Sequence, residues 1–249
     1  MRKTYLFDLY GTLIDLHTNE TKITLWRAMA RLYSMWGAIY TAQELKKEFF
    51  RLDKAERVRL YPEMKTRFEA PDLEPNHVEN DLGLVFRMLY EAKGVEVSDE
   101  IVAYTAAAFR SISISYIQLF PGVIEMIDEL HNKGCKAYLL SNAQKLFTKP
   151  EMESLGLYDK LDGILFSSDA GIMKPSPYFY RHIFDVYGLD SADCVMVGNE
   201  YFADVMGSNR VGLPSVFFRT VQSGKGIGPL PNNCIEIDDI RKVSSCIFD

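Results

Sequence analysis

The sequence predicts an α/β fold, a Rossmann-like parallel sheet core interrupted once by an inserted all-helical domain, and three observations lead there. From about Pro121 onward, short apolar runs bounded by turn residues alternate with helical spacing, the pattern of parallel strands joined by helical crossovers. Before Pro121, four segments repeat apolar residues every three to four positions without strand alternation. Polar residues follow the apolar runs at Asp8, Ser141 and Gly198–Glu200, and open parallel sheets bind ligands at the carboxyl ends of their strands.

Residues 4–8 read as the first strand. Helical spacing covers 21–33, 42–53, 77–93 and 98–115, an insertion of roughly a hundred residues, far too long for a connection and long enough for a small domain. The chain therefore divides into a core of 1–16 and 119–249 and a helical domain of 17–118, with linkers near 15–20 and 117–121. After Pro121 the order is a helix over 123–133 ended by Gly134, a strand over 135–141, and a helix over 147–155 stopped by Gly156. A strand over 163–167, a helix over 177–187, a strand over 194–198, a helix over 202–211 and a strand over 214–218 follow. The stretch QSGKGIGPLPNN reads as a loop before a short strand over 234–237. Trp26, Tyr33 and Trp36 read as packing inside the helical domain, and Tyr180 as core.

Composition narrows the function. Lys and Arg are interspersed with acids at a net charge of −6, which argues against nucleic acid as a partner. The N-terminal apolar run is broken after three or four residues by Asp8, Tyr10 and Gly11, so neither a signal peptide nor a membrane span is expected. Cys135, Cys194, Cys234 and Cys246 show no metal-ligand spacing and read as buried thiols of a reducing compartment. The expectation is a cytoplasmic protein acting on a small molecule. Nothing in the sequence sets its oligomeric state.

The topology should gather Asp8, Ser141, Asn142, Lys174, Asn199, Glu200 and Asp204 at one edge of the sheet. The order of FDLYGTL, YLLSNAQ, GIMKPSPYFY and VMVGNEYFADVMGSNRVGLPSVFF resembles the four motifs of the haloacid dehalogenase superfamily of hydrolases. The helical insertion falls where that superfamily carries its first (C1) type of cap. The resemblance implies that Asp8 is a nucleophile forming a covalent aspartyl intermediate, a role a carboxylate fills without deprotonation near neutral pH. It implies that Ser141 binds the transferred group and Asn142 orients the chain around it. Gly11 then permits the sharp turn that turns Thr12 toward the substrate, and Lys174 holds Asp8 ionised and offsets charge on the transferred group. Asp204, with Glu200, anchors that lysine or a magnesium ion. Arg27 and Arg31, one turn apart, are candidates for binding a substrate carboxylate or phosphate.

Two positions depart from the phosphatase pattern. Phosphatases of the superfamily usually have a second aspartate two residues after the nucleophile as general acid and base; here Tyr10 stands there. The first acid of the fourth motif is replaced by Asn199, so the expected magnesium set is Asp8, Tyr10, Asn199, Glu200 and Asp204. A halide leaves without a proton, and 2-haloacid dehalogenases of the superfamily carry a tyrosine at this point and use no metal. The expectation is a magnesium-dependent phosphohydrolase of a small metabolite, with a metal-independent dehalogenase or a catalytically silent binding protein as alternatives.

Overall fold

The computed structural model describes residues 3–224 and 228–248; the part of the Gly/Pro-rich loop at 225–227 lies outside them. Six parallel strands form the main sheet, in the order β5-β4-β1-β6-β7-β8. They are β1 (Thr4–Phe7), β4 (Lys136–Ser141), β5 (Gly163–Phe166), β6 (Cys194–Gly198), β7 (Ser215–Phe218) and β8 (Cys234–Ile237). Strands of a sheet covered on both faces read as continuous apolar runs, and every residue of β1, β6 and β7 is buried. Along β1 the side chains alternate. Phe7 joins Val123, Met126 and Ile127 of α5 (Val123–Asn132) on one face. Leu6 joins Phe179, Tyr180 and Ile183 of α8 (Pro177–Tyr187) on the other. Tyr180 is core, as expected.

Register decides where the chemistry goes. Phe7 lies opposite Leu139 of β4 and Val197 of β6, so Asp8, Ser141 and Asn199 emerge together. The chain steps from β1 to β4 and β5 on one side, then returns to β6 on the other, so the sheet reverses its winding beside β1. Such a switch point opens a crevice at the carboxyl edge.

Two strands were not expected. β2 (Ile14–Thr18) and β3 (Ile114–Leu119) pair antiparallel at the two ends of the insertion, on the stretches read as linkers. Between them run α1 (Ile23–Met35), α2 (Ala42–Arg67), α3 (Leu82–Glu91) and α4 (Asp99–Ser113). Their aromatic core has Phe49 against Trp26 and Phe109, with ring centroids 5.1 and 5.5 Å apart. Trp26 and Tyr33 are buried there, whereas Trp36 is 42% exposed, because it caps α1 beyond the last turn that faces the core. α2 continues past the expected residue 53 to Arg67. Its far end leaves the helical core, and Met64 packs against the sheet cluster around Phe179.

The expected helix over 77–93 forms only from Leu82. Residues 78–81 are extended because the sheet domain uses their backbone. Val78 bridges Ile172, Glu79 N–H donates to Gly171 O at 3.0 Å, and Met173 N–H donates to His77 O at 2.9 Å. The remaining helices are α6 (Lys145–Ser154), α7 (Ser167–Ala170) and α9 (Gly207–Arg210), the last preceded by a π turn over Tyr201–Met206. π turns of this kind are frequent at functional sites.

Candidate active site

The loop after β1 is wound tightly: the amides of Thr12, Leu13 and Ile14 all donate to Leu9 O. Gly11 has φ +85°, and a Cβ there would lie 2.3 Å from the Asn199 amide, so only glycine fits. Gly198 answers the same need across the site, where a Cβ would meet the Asp204 carboxylate at 2.2 Å.

Lys174 is the centre of the cluster. Its side chain is 1% exposed and its Nζ donates to Asp8 Oδ1 at 2.7 Å and Asp204 Oδ1 at 2.8 Å. Asn142 clamps its backbone, donating to Lys174 O at 2.9 Å and accepting from Lys174 N–H at 2.8 Å. Burial alone would lower the lysine's pKa, but Asp204 and Asp8 outweigh it and hold the ammonium above its ordinary value. Burial pushes Asp204 upward against the pull of Lys174. Ser141 Oγ donates to Asp8 Oδ1 at 3.4 Å, while Asp8 Oδ2 receives Thr12 Oγ1 at 3.3 Å, a hydroxyl also 3.2 Å from Asn199 Oδ1.

The structure thus brings together Asp8, Thr12, Ser141, Asn142, Lys174, Asn199 and Asp204. Of the two partners expected for Asp204, the structure shows the lysine: Oδ1 takes Lys174 Nζ and Oδ2 takes Glu200 N–H at 2.9 Å. Two expectations need correction. The Tyr10 hydroxyl reaches α6, where it donates to Glu151 Oε2 at 2.5 Å and lies 3.0 Å from Thr148 Oγ1. Burial, with Glu151 beside it, pushes its phenol above the ordinary range. Arg27 and Arg31 are exposed on α1 and line none of the described cavities near Asp8.

Two cavities share Tyr10, Asn142 and Glu200. The smaller, about 100 Å³, is lined by Asp8, Ser141, Lys174 and Glu200. Burial and the nearby charge of Asp8 both push the Glu200 carboxyl upward. The larger, about 410 Å³, opens toward the inserted helices and is lined by Arg57, Glu79, Arg110, Gln144 and Glu20. None of these five was singled out in the sequence. Arg110 did leave a signal, as the one cation on the stripe of Val102, Thr105, Ala106 and Phe109 that α4 buries. Glu79 left none, since its segment read as helix.

Tyr10→Phe tests the reading of the tyrosine as structural. It removes two hydrogen bonds from a buried cluster in which Arg110 Nε still pairs with Glu151 at 2.6 Å, so denaturant unfolding should show a loss of about 1–2 kcal/mol. Turnover should change by less than about threefold, because no interaction confined to the transition state is lost. A fall in kcat of two orders of magnitude would put the hydroxyl in the chemistry.

Fold and site together define an α/β protein with a buried cluster of carboxylate and ammonium groups at the carboxyl edge of its sheet. The chain belongs to the haloacid dehalogenase-like hydrolases, whose family model matches residues 2–212. Among its relatives is a glyceraldehyde 3-phosphate phosphatase of Methanopyrus kandleri, 23% identical over 63% of this chain and 66% of its own. A ribulose-1,5-bisphosphate 5-phosphatase of Halopiger xanaduensis is 32% identical over 45% of this chain and 46% of its own. The match thus covers less than two thirds of either relative. A 2-haloacid dehalogenase structure from Pseudomonas syringae superposes with a TM-score of 0.57 at 19% identity, over 98% of this chain and 97% of that one; this likeness speaks for the fold alone.

Proposed function

We propose that this hydrolase is a phosphohydrolase in which Asp8 attacks phosphorus, the P–O bond to the alcohol breaks and the leaving oxygen takes a proton from water, and a second water then cleaves the aspartyl phosphate to release phosphate and restore Asp8. The observation that carries the reading is that Asp8 and Glu200 face the same 100 Å³ cavity, with Lys174 on its wall. Three acids, Asp8, Glu200 and Asp204, line this one small cavity, a lining that suits a divalent cation better than a halide pocket. Lys174 and Ser141 both donate to Oδ1 of Asp8, which leaves Oδ2 the less engaged, attacking oxygen. Ser141 Oγ, Thr12 Oγ1 and the Lys174 ammonium then receive the phosphoryl oxygens, whose growing charge they offset.

Among the described residues, no cluster of three or more His, Cys, Asp or Glu could hold a metal ion. Magnesium does not require one, since it keeps several waters and takes one or two carboxylates. Asp8 and Glu200, with Asn199 beside them, fit that demand, and the mutual repulsion of Asp8 and Glu200 is what a cation relieves. Bound there, magnesium would neutralise charge on the transferring phosphoryl group.

Residues 17–118 are proposed to form the cap that closes over this edge, excludes water and selects the substrate, with the β2–β3 ribbon as its hinge. The core is then 1–16 and 119–249. No described helix is long and apolar enough to cross a membrane.

Phosphate release from 4-nitrophenyl phosphate, with magnesium and with excess EDTA, tests the proposal. EDTA should lower the rate by at least about 100-fold, reversibly on magnesium addition. Tyr10 at the position of the missing aspartate favours a second reading, carbon–halogen hydrolysis. EDTA-insensitive halide release from 2-chloropropionate, without phosphate release, would establish that reading instead.

A further inference from the structure

On the phosphohydrolase reading, on which this inference rests, the alcohol of the substrate has one place to go. The cavity of about 100 Å³ beside Asp8 has room for the transferring phosphoryl group and not for the alcohol as well. Attacking and leaving oxygens lie roughly in line, so the leaving oxygen points away from Asp8, toward the cavity of about 410 Å³ that shares Tyr10, Asn142 and Glu200 with the first. There the absent aspartate is felt. Phosphatases of the superfamily put their acid at the position of Tyr10, and Tyr10 commits its hydroxyl to Glu151 Oε2 at 2.5 Å.

Over the Tyr10 ring lies Arg110. Among the described residues the larger cavity is lined by two cations, Arg57 and Arg110, and they differ in what they have left to donate. Arg57 has an acceptor on each nitrogen: Glu79 on Nη2 at 2.6 Å, Val78 O on Nη1 at 2.9 Å and Asp53 on Nε at 3.3 Å. Arg110 holds Glu151 with Nε at 2.6 Å and Nη2 at 3.3 Å, while Nη1 makes no hydrogen bond and has Glu20 Oε1 4.0 Å off. Its side chain is 11% exposed, and the guanidinium lies against the Tyr10 and Phe147 rings, 5.2 and 5.5 Å from their centroids. Glu151 and the two rings thus fix the group before any substrate arrives.

We infer that Arg110 is a catalytic residue whose Nη1 donates a hydrogen bond to the leaving oxygen as the P–O bond breaks, offsetting the charge that the absent aspartate would have protonated. A guanidinium is not deprotonated in proteins, so Arg110 keeps its protons, and the one that completes the alcohol comes from water. A fixed donor aimed at charge that develops only in the transition state is the most effective use of such a group. Tyr10 then serves the reaction through its ring, which supports the guanidinium, and Tyr10→Phe keeps that ring.

Two esters of similar size test this. Benzyl phosphate must release a strongly basic alkoxide, whereas 4-nitrophenolate leaves 4-nitrophenyl phosphate without help, and kcat/KM follows the step that releases them. Arg110→Met should lower kcat/KM for benzyl phosphate by at least about 100-fold and for 4-nitrophenyl phosphate by less than about tenfold. Arg110→Met combined with Glu151→Gln also removes the carboxylate that the single change leaves without its guanidinium. The double variant should open the same gap between the esters, and it keeps the test in force if the single variant does not fold. Equal losses on both esters would make Arg110 a tie between α4 and α6 and overturn the inference, as would a wild-type protein that releases phosphate from 4-nitrophenyl phosphate alone. No phosphate release from either ester by the wild-type protein would remove the phosphohydrolase reading, and the role of Arg110 with it.

Discussion

Asp8→Asn is expected to lower kcat for phosphate release by at least about 10³-fold while the protein stays folded. The amide keeps the shape of the carboxylate and an oxygen to accept from Lys174, and Lys174 keeps its 2.8 Å contact to Asp204. What disappears is the nucleophile, because a neutral amide oxygen forms no aspartyl phosphate. Steady-state phosphate release read beside the denaturation midpoint separates the two effects. Residual activity above about 1% with an unchanged midpoint would place the covalent step elsewhere, since loss of the attacking group leaves only binding and electrostatics. Asp8 is also one of two acids flanking a single buried ammonium, so its neutralisation relieves repulsion between them. The variant should therefore bind substrate while failing to turn it over.

The sheet was legible because parallel strands are local statements: β6 is the unbroken run CVMVG, β8 the run CIEI, and both form with the expected bounds. The strand ends were legible for the same reason, since a polar residue closing an apolar run falls at the sheet edge whatever the rest of the chain does. What escaped depends on distant partners. β2 and β3 are half-buried, polar ribbons stabilised by each other across nearly a hundred residues, and neither carries a periodicity of its own. Residues 78–81 have helical spacing but are pulled straight by Gly171 and Ile172. Tyr10 sits where the superfamily pattern places an acid, and only the fold shows that Glu151 and Thr148, some 140 positions away, take its hydroxyl. Arg27 was chosen because it stands in a helix of the insertion; Arg110 and Arg57 reach the cavity because α4 and α2 bury the faces that carry them.

Lys174→Met should be the most damaging single change to stability and should also lower turnover. It leaves the Asp8 and Asp204 carboxylates facing a methyl thioether, with Asp204 1% exposed and cut off from water. Breaking a buried ion pair by removing one partner costs about 3–5 kcal/mol, and removing a charge that offsets the transition state lowers kcat by about 10²–10³-fold. The loss has a pH signature. Burial already raises Asp204, and without the lysine nothing comparable opposes it. An acid whose folded pKa lies above its unfolded value binds its proton more tightly in the folded state, so stability falls as pH rises from the unfolded value through the folded one. Lys174→Met should thus be most stable in mild acid and weaken toward neutral pH, as urea midpoints across that interval would show. Adding Asp204→Asn should recover much of the stability at neutral pH by removing the stranded charge, with a coupling energy of about 1–3 kcal/mol. It should recover no turnover, because the ammonium beside Asp8 is still missing. If the double variant regains activity, Lys174 serves only to hold Asp204; if it regains neither, the cluster is held by packing rather than by its charges.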